Sequence, residues 1–181
     1  DSAVKAGTVF KEGVRVTHVE ICSQGVRVKG GGQVFESKLV VLADGSHAPI
    51  TRQLGLTAYG QPEMIAIRQY RSGDSGPSNR LEIHFQSSIL PGYNWLFPLG
   101  GGVVNVGSFT YTHRIRQGKI ELRSELERFL ANSKVTDGRL LLTEPMGPQR
   151  AFPLRMRLGQ NRTHADHILV AGDAAGTINP L

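Results

Sequence analysis

Two short, continuously apolar runs, each ending in a turn that sets an aspartate beside a glycine, constrain this chain more than any other feature. The first is Leu39-Val40-Val41-Leu42-Ala43, closed by Asp44-Gly45. The second is His167-Ile168-Leu169-Val170-Ala171, closed by Gly172-Asp173. Apolar runs of this length without alternation read as strands buried on both faces, as in parallel sheets. The rest of the chain is patterned differently. Residues 13–19 and 25–29 alternate, the glycines at 30–32 make a turn, and residues 34–36 lead into the first run. Between the two runs, residues 64–70, 80–85, 93–97 and 103–109 read as strands, and 139–143 and 151–155 as two more. Gly, Pro, Ser and Asn fill the gaps. The best helix is 121–130, with Leu122, Leu126, Phe129 and Leu130 on one face. A short helix is expected at 50–54, and another beginning after Gly172.

The order of these pieces predicts the fold. A buried strand, a separate strand-rich segment and a second buried strand are what an α/β nucleotide-binding sheet gives when another domain is inserted between its strands. The expected class is therefore α/β with α+β elements: a Rossmann-like layer carrying an inserted antiparallel-sheet substrate domain. The division expected is 1–58, 59–160 and 161–181, the last segment returning to the first layer.

Composition narrows the function classes. The chain has 181 residues, a formal net charge of +6 and one cysteine, Cys22. A single cysteine excludes an internal disulfide and a cysteine-rich zinc site. The basic residues are scattered, and no nucleic-acid motif accompanies them, so no nucleic-acid partner is expected. No apolar run reaches the ~18 residues of a membrane-spanning helix. The beginning and end carry neither an initiator methionine nor a tail composition, and the sequence reads as an excerpt of a longer chain.

The chemistry concentrates at three places. In Gly172-Asp173-Ala174-Ala175-Gly176 a strand delivers an acceptor carboxylate to its carboxyl end, among residues small enough for a ligand to approach the backbone. Such a carboxylate can receive hydrogen bonds from sugar-like hydroxyls, or it can simply cap a helix. Asp44-Gly45 followed by Arg52 repeats the arrangement at the first strand, although many ordinary turns share that pattern. In Tyr93-Asn94-Trp95-Leu96-Phe97-Pro98 three aromatic rings alternate, so they share one face of a strand. They make either an apolar wall for a flat or isoprenoid ligand, or a stripe of core.

These segments resemble markers of a known superfamily. Gly172 to Gly176 with Asn179-Pro180 is similar to the "GDAAG…NP" motif of flavoproteins related to p-hydroxybenzoate hydroxylase. Residues 43–55 resemble its "ADGxxSxxxRxLG" marker, with Ala48 where the usual serine stands. Residues 93–107 are similar to the "YxWxFP…G…NVG" signature of the geranylgeranyl reductase family within it. The resemblance implies FAD as cofactor, with the donor (NAD(P)H or ferredoxin) open. It implies cofactor contacts from Asp173, Gly172, Ala174, Gly176, Asn179, Pro180, Asp44, Gly45 and Arg52, Asp173 meeting the ribityl chain. It implies a substrate wall of Tyr93, Trp95 and Phe97. No catalytic residue and no metal ligand is assigned; His164 and His167, and likewise His84 and His113, lack partners at a telling spacing. The "GxGxxG" fingerprint of the superfamily is absent, as an N-terminal truncation would produce.

The implied activity is flavin-dependent reduction of isoprenoid or lipid double bonds, by a cytoplasmic protein whose peripheral contact with a membrane is left open. The alternatives are a flavin-dependent aromatic monooxygenase or halogenase, a quinone-linked flavoprotein electron carrier, and a non-catalytic interaction domain.

Overall fold

The computed structural model describes residues 2–57, 60–156 and 159–178. The chain divides into two compact units, Asp1–Tyr59 with Arg157–Leu181, and Gly60–Met156.

The discontinuous unit opens with one helical turn, α1 (Ser2–Lys5). A three-stranded antiparallel meander follows, β1 (Val16–Cys22), β2 (Gly25–Gly30) and β3 (Gln33–Ser37). Next come β4 (Val40–Leu42) and the short helix α2 (Pro49–Gln53).

The second unit is built on one antiparallel sheet: β5 (Met64–Ser72), β6 (Glu82–His84), β7 (Tyr93–Gly100), β8 (Val103–Tyr111), β9 (Glu144–Pro145) and β10 (Arg150–Leu154). The strand order is β10-β5-β8-β7-β6, with β9 also paired to β5. Helix α3 (Thr112–Arg116) follows β8 directly, and α4 (Leu122–Leu130) packs against β8 and β5. Leu122, Leu126 and Phe129 recur at helical spacing and join Ile67, Leu96, Val104 and Val106 in one core. Each such side chain contributes on the order of 1.5–3 kcal/mol on burial. Glu121 caps α4, its carboxylate accepting from the backbone N–H of Arg123 and Ser124 at 3.1 and 2.6 Å.

The chain then returns to the first unit with β11 (His164–Ala165) and β12 (Ile168–Val170). β12 pairs in parallel with β4, Leu169 opposite Val41, and antiparallel with β11. Leu42, Ile168, Val170, Ala174 and Ala175 pack with Val19, Val26 and Ile50 into this unit's core.

Three expectations are corrected. Residues 139–142 form a 3-10 helix and not a strand. Gly138 enters it at φ +72°, and the Arg139 guanidinium is drawn to Asp74 and Glu82. The segment after β12 is a single 3-10 turn, Gly172–Ala175, that stops at Gly176 in the left-handed region (φ +74°), where an α-helix was expected. The two apolar strands are buried on one face only: Val41 is 55% and Leu169 45% exposed, and the two are register partners. The exposed pair makes a small apolar patch on the outer face of the β4–β12 ladder.

Candidate functional site

The parallel pairing of β4 and β12 brings both aspartate turns to one end of one sheet. Asp44 follows β4 and Asp173 follows β12. Ser46 Oγ donates a hydrogen bond to Asp173 Oδ2 at 3.0 Å and ties the two turns together. Ser46 was not singled out in the sequence. Its only signal there is a hydroxyl directly after Gly45.

The two carboxylates do different work. Asp44 is turned inward: its Oδ2 accepts from the backbone N–H of Ile50 (2.8 Å) and Thr51 (3.1 Å), and its Oδ1 from the Thr51 hydroxyl (2.6 Å). It thus satisfies the first turn of α2, whose N-cap position holds Ala48, a residue with no capping side chain, at φ 44°. Asp173 is exposed, and among the described residues Ser46 is the one side chain that donates to it. Its other oxygen is available to a ligand. Gly172 stands at φ +63° with open space where a side chain would project, and Ala174, Ala175 and Gly176 are buried behind it. An acceptor-only carboxylate on a turn of small residues fits a hydroxyl-bearing chain such as the ribityl of a flavin. Gly45 (φ +73°) and half-buried Arg52 flank the turn from the β4 side. Asn179 and Pro180 lie outside the described residues.

In the second unit the sheet has two unlike faces. Asn94 and Leu96 of β7 point to the α4 side and are fully buried. Asn94 is satisfied there, donating to Gln86 Oε1 at 2.7 Å and accepting from Ser108 Oγ. Tyr93, Trp95 and Phe97 line the other face, each half-buried. Their rings continue in a track: Trp95 to Tyr93 (6.4 Å between centroids), Tyr93 to Phe109 (4.4 Å), Phe109 to Tyr111 (6.2 Å) and Tyr111 to His113 (5.8 Å). The track ends at a cavity of about 450 Å³ bounded by Glu63, Tyr111, His113, Arg116 and Met156. Burial pushes the Tyr93 phenol above its usual range.

Gly107, opposite Trp95 on β8, lets the indole lie down on the sheet. A Cβ there would meet Trp95 Cζ2 at 2.1 Å and the Ile67 carbonyl oxygen at 2.5 Å. The indole Nε1 reaches Asn105 Oδ1, two residues along β8, at 3.4 Å. The aromatic residues of β7 and the Asn105-Val106-Gly107 segment therefore form a single device, a tryptophan laid across a gap cut for it.

Elsewhere, His167 Nδ1 pairs with the Lys38 carbonyl at 2.9 Å, Cys22 ends β1, and no cluster of metal-ligating side chains occurs among the described residues. Among the described residues no helix is long and apolar enough to cross a membrane.

No family model matches the chain. The chain is 31% identical, over 99% of its length and 46% of the relative's, to the digeranylgeranylglycerophospholipid reductase of Methanocaldococcus jannaschii. It is 29% identical, over 93% of its length and 42% of the relative's, to the menaquinone reductase of Mycolicibacterium smegmatis. Among solved structures, a geranylgeranyl bacteriochlorophyll reductase-like protein of Thermoplasma acidophilum superposes with a TM-score of 0.68 at 22% identity, over 92% of this chain and 43% of that one. A flavin-dependent halogenase gives 0.68 at 20%, over 99% and 34%. At such identities the structural likeness shows the fold, that of Rossmann-like flavoproteins. The chain spans about half the length of the curated relatives it matches, and over that span it is similar to reductases named for digeranylgeranylglycerophospholipid.

Proposed function

We propose that this chain is the substrate-facing half of an FAD-dependent reductase that saturates double bonds of an isoprenoid lipid. The observation that carries the reading is the aromatic track of β7 and β8, with Trp95 laid over Gly107. An isoprenoid tail offers no hydrogen-bonding group, so its site must recognise it by apolar area, and a continuous row of rings leading to a cavity provides that. The names of the sequence relatives, phospholipid and menaquinone reductases, point the same way. The residues that hold the flavin are proposed as Asp173, toward the ribityl hydroxyls, with Gly172, Ala174 and Gly176 giving close approach. Gly45, Arg52, Asn179 and Pro180 complete the set. Asp44 acts from behind, by fixing α2 and the turn that carries Ser46. Tyr93, Trp95 and Phe97 are the substrate wall.

Bound reduced flavin supplies the hydride for such a reaction. The work of this chain is to orient the alkene, exclude water and hold the cofactor's hydroxyl chain.

The test is made on the whole protein. A flavin absorbance spectrum, followed by an anaerobic assay on geranylgeranyl lipids, should show one dihydrogen gained per reduced bond. A product hydroxylated or halogenated only in the presence of oxygen would instead support the monooxygenase or halogenase reading, which the fold also accommodates.

A further inference from the structure

The link from α3 into α4, at the end of the second unit's sheet where β8 stops, concentrates positive charge. Arg114, Arg116, Lys119 and Arg123 fall within residues 114–123, and Glu121 is the one acid among them. Four cations less one acid leave +3 there, half of the chain's formal net charge of +6. The acids at this end are engaged elsewhere. Glu121 takes the backbone N–H groups of Arg123 and Ser124, Glu125 takes Ser88 and Arg128, and Glu63 takes the N–H of Met156. Among the described residues Arg114, Arg116 and Lys119 form no ion pair, and Arg114 Nε is buried without an acceptor. The same end also shows apolar side chains to solvent. β7 begins with Tyr93 opposite Phe109, near the end of β8, so the loop between β6 and β7 lies at the end from which α3 leaves. Ser88 of that loop is bonded to Glu125 in the first turns of α4. On the same loop Phe85 is 59% and Leu90 44% exposed.

We infer that this end of the second unit is a docking surface for the anionic headgroups of a lipid bilayer. Arg114, Arg116 and Lys119 are drawn to the negative surface, and Phe85 and Leu90 enter the boundary between headgroups and chains. Charge alone would suit an acidic protein as well; the exposed apolar side chains beside the cations are what favour lipid. The contact is with the bulk of the bilayer and not with a reacting molecule, so the inference stands apart from the isoprenoid-reductase reading. Together with that reading, docking brings the cavity beside Tyr111 and Arg116 to the phase in which isoprenoid lipids reside.

The experiment is co-sedimentation of the whole protein with vesicles that contain no isoprenoid: phosphatidylcholine alone, and phosphatidylcholine with an equal part of phosphatidylglycerol. Binding should be confined to the anionic vesicles and should fall as salt is added. At roughly five-fold per cation near such a surface, R116Q/K119Q should weaken it about ten- to thirty-fold. Both side chains are exposed, and a melting curve checks that the variant is folded. K5Q/R15Q removes the same charge from exposed positions of the first unit and should leave binding within about two-fold. Leu90→Ser should weaken binding about three-fold, at low and high salt alike. Equal binding to the two vesicles, equal losses in the two double variants, or undiminished binding in R116Q/K119Q would overturn the inference. So would the absence of vesicle binding; salt-sensitive capture of the protein by polyglutamate, lost in R116Q/K119Q, would then give the surface to an acidic protein. None of these outcomes touches the reductase reading, which the anaerobic assay tests separately.

Discussion

Ser46 Oγ and Asp173 Oδ2 lie 3.0 Å apart although 127 residues separate them in the chain. The bond exists because β4 and β12 are parallel neighbours whose carboxyl ends coincide. Among the described residues it leaves Asp173 with one oriented oxygen that takes no other donor. Asp173→Ala in the whole protein should weaken FAD binding about ten- to a hundred-fold, the worth of a charge-assisted hydrogen bond of ~1.5–3 kcal/mol. Ser46→Ala should weaken it by less, since the acceptor remains and only its orientation is loosened. Flavin content after dialysis and a fluorescence titration measure both. Unchanged affinity in Asp173→Ala would remove the ribityl assignment.

Asp44 predicts a different phenotype from Asp173. Its carboxylate takes two backbone N–H groups and one hydroxyl of α2. Asp44→Ala should therefore cost about 2 kcal/mol of stability, the upper end of capping losses, because Ala48 offers no substitute acceptor. The variant should melt earlier and lose flavin only as it unfolds. A normal melting temperature combined with weak flavin binding would reassign Asp44 to direct contact.

The difference between these two aspartates shows where sequence reasoning stops. Both end apolar runs beside a glycine, and both looked alike. Which one faces inward depends on the backbone N–H groups of Ile50 and Thr51, and hence on the geometry of α2. The alternation of Tyr93, Trp95 and Phe97 against Asn94 and Leu96 was legible because it is local, with a period of two. The role of Gly107 was not, because it arises from the pairing of 95 with 107. No local pattern encodes that register. Residues 139–142 were misread for a similar reason: a Leu-rich run looks like a strand until Arg139 finds its acids on distant segments.

Those acids give a pH prediction. Arg139 meets Asp74 at 3.0 Å and Glu82 at 2.6 Å, and the three side chains are nearly buried. Burial pushes the Glu82 carboxyl up, but Arg139, Arg80 and His84 together outweigh burial and hold it below the usual range. A carboxyl depressed on folding stabilises the fold fully above its unfolded pKa, about 4.3, and loses that contribution as pH falls through the lower folded value. Glu82→Gln should flatten acid unfolding in that window. Arg139→Met, which strips the nearly buried Asp74 of this cation and leaves Glu82 only Arg80 and His84, should cost roughly 3 kcal/mol at neutral pH. Melting curves from neutral to acid pH check both, and an unaltered acid limb in Glu82→Gln would refute the clamp.

The wall and the core can be separated at Trp95. Gly107→Ala should be more harmful than its size suggests, because the new methyl occupies the space of the indole and also crowds the Ile67 carbonyl. Overpacking of this kind costs about 1–3 kcal/mol. Trp95→Ala removes the ring itself. Trp95 is half-buried and its neighbours on the α4 side, Asn94 and Leu96, carry the packing of β7. The loss should therefore fall on the turnover of long isoprenoids, with the flavin spectrum intact and the melting temperature nearly so. Combining the two changes should recover part of the Gly107→Ala loss in stability, since the methyl then meets only the carbonyl, and should not recover turnover. Melting temperature, flavin content and turnover measured on one preparation of each variant distinguish the cases. A large fall in melting temperature for Trp95→Ala, with normal activity per folded molecule, would make the indole a core residue and end its assignment to the substrate wall.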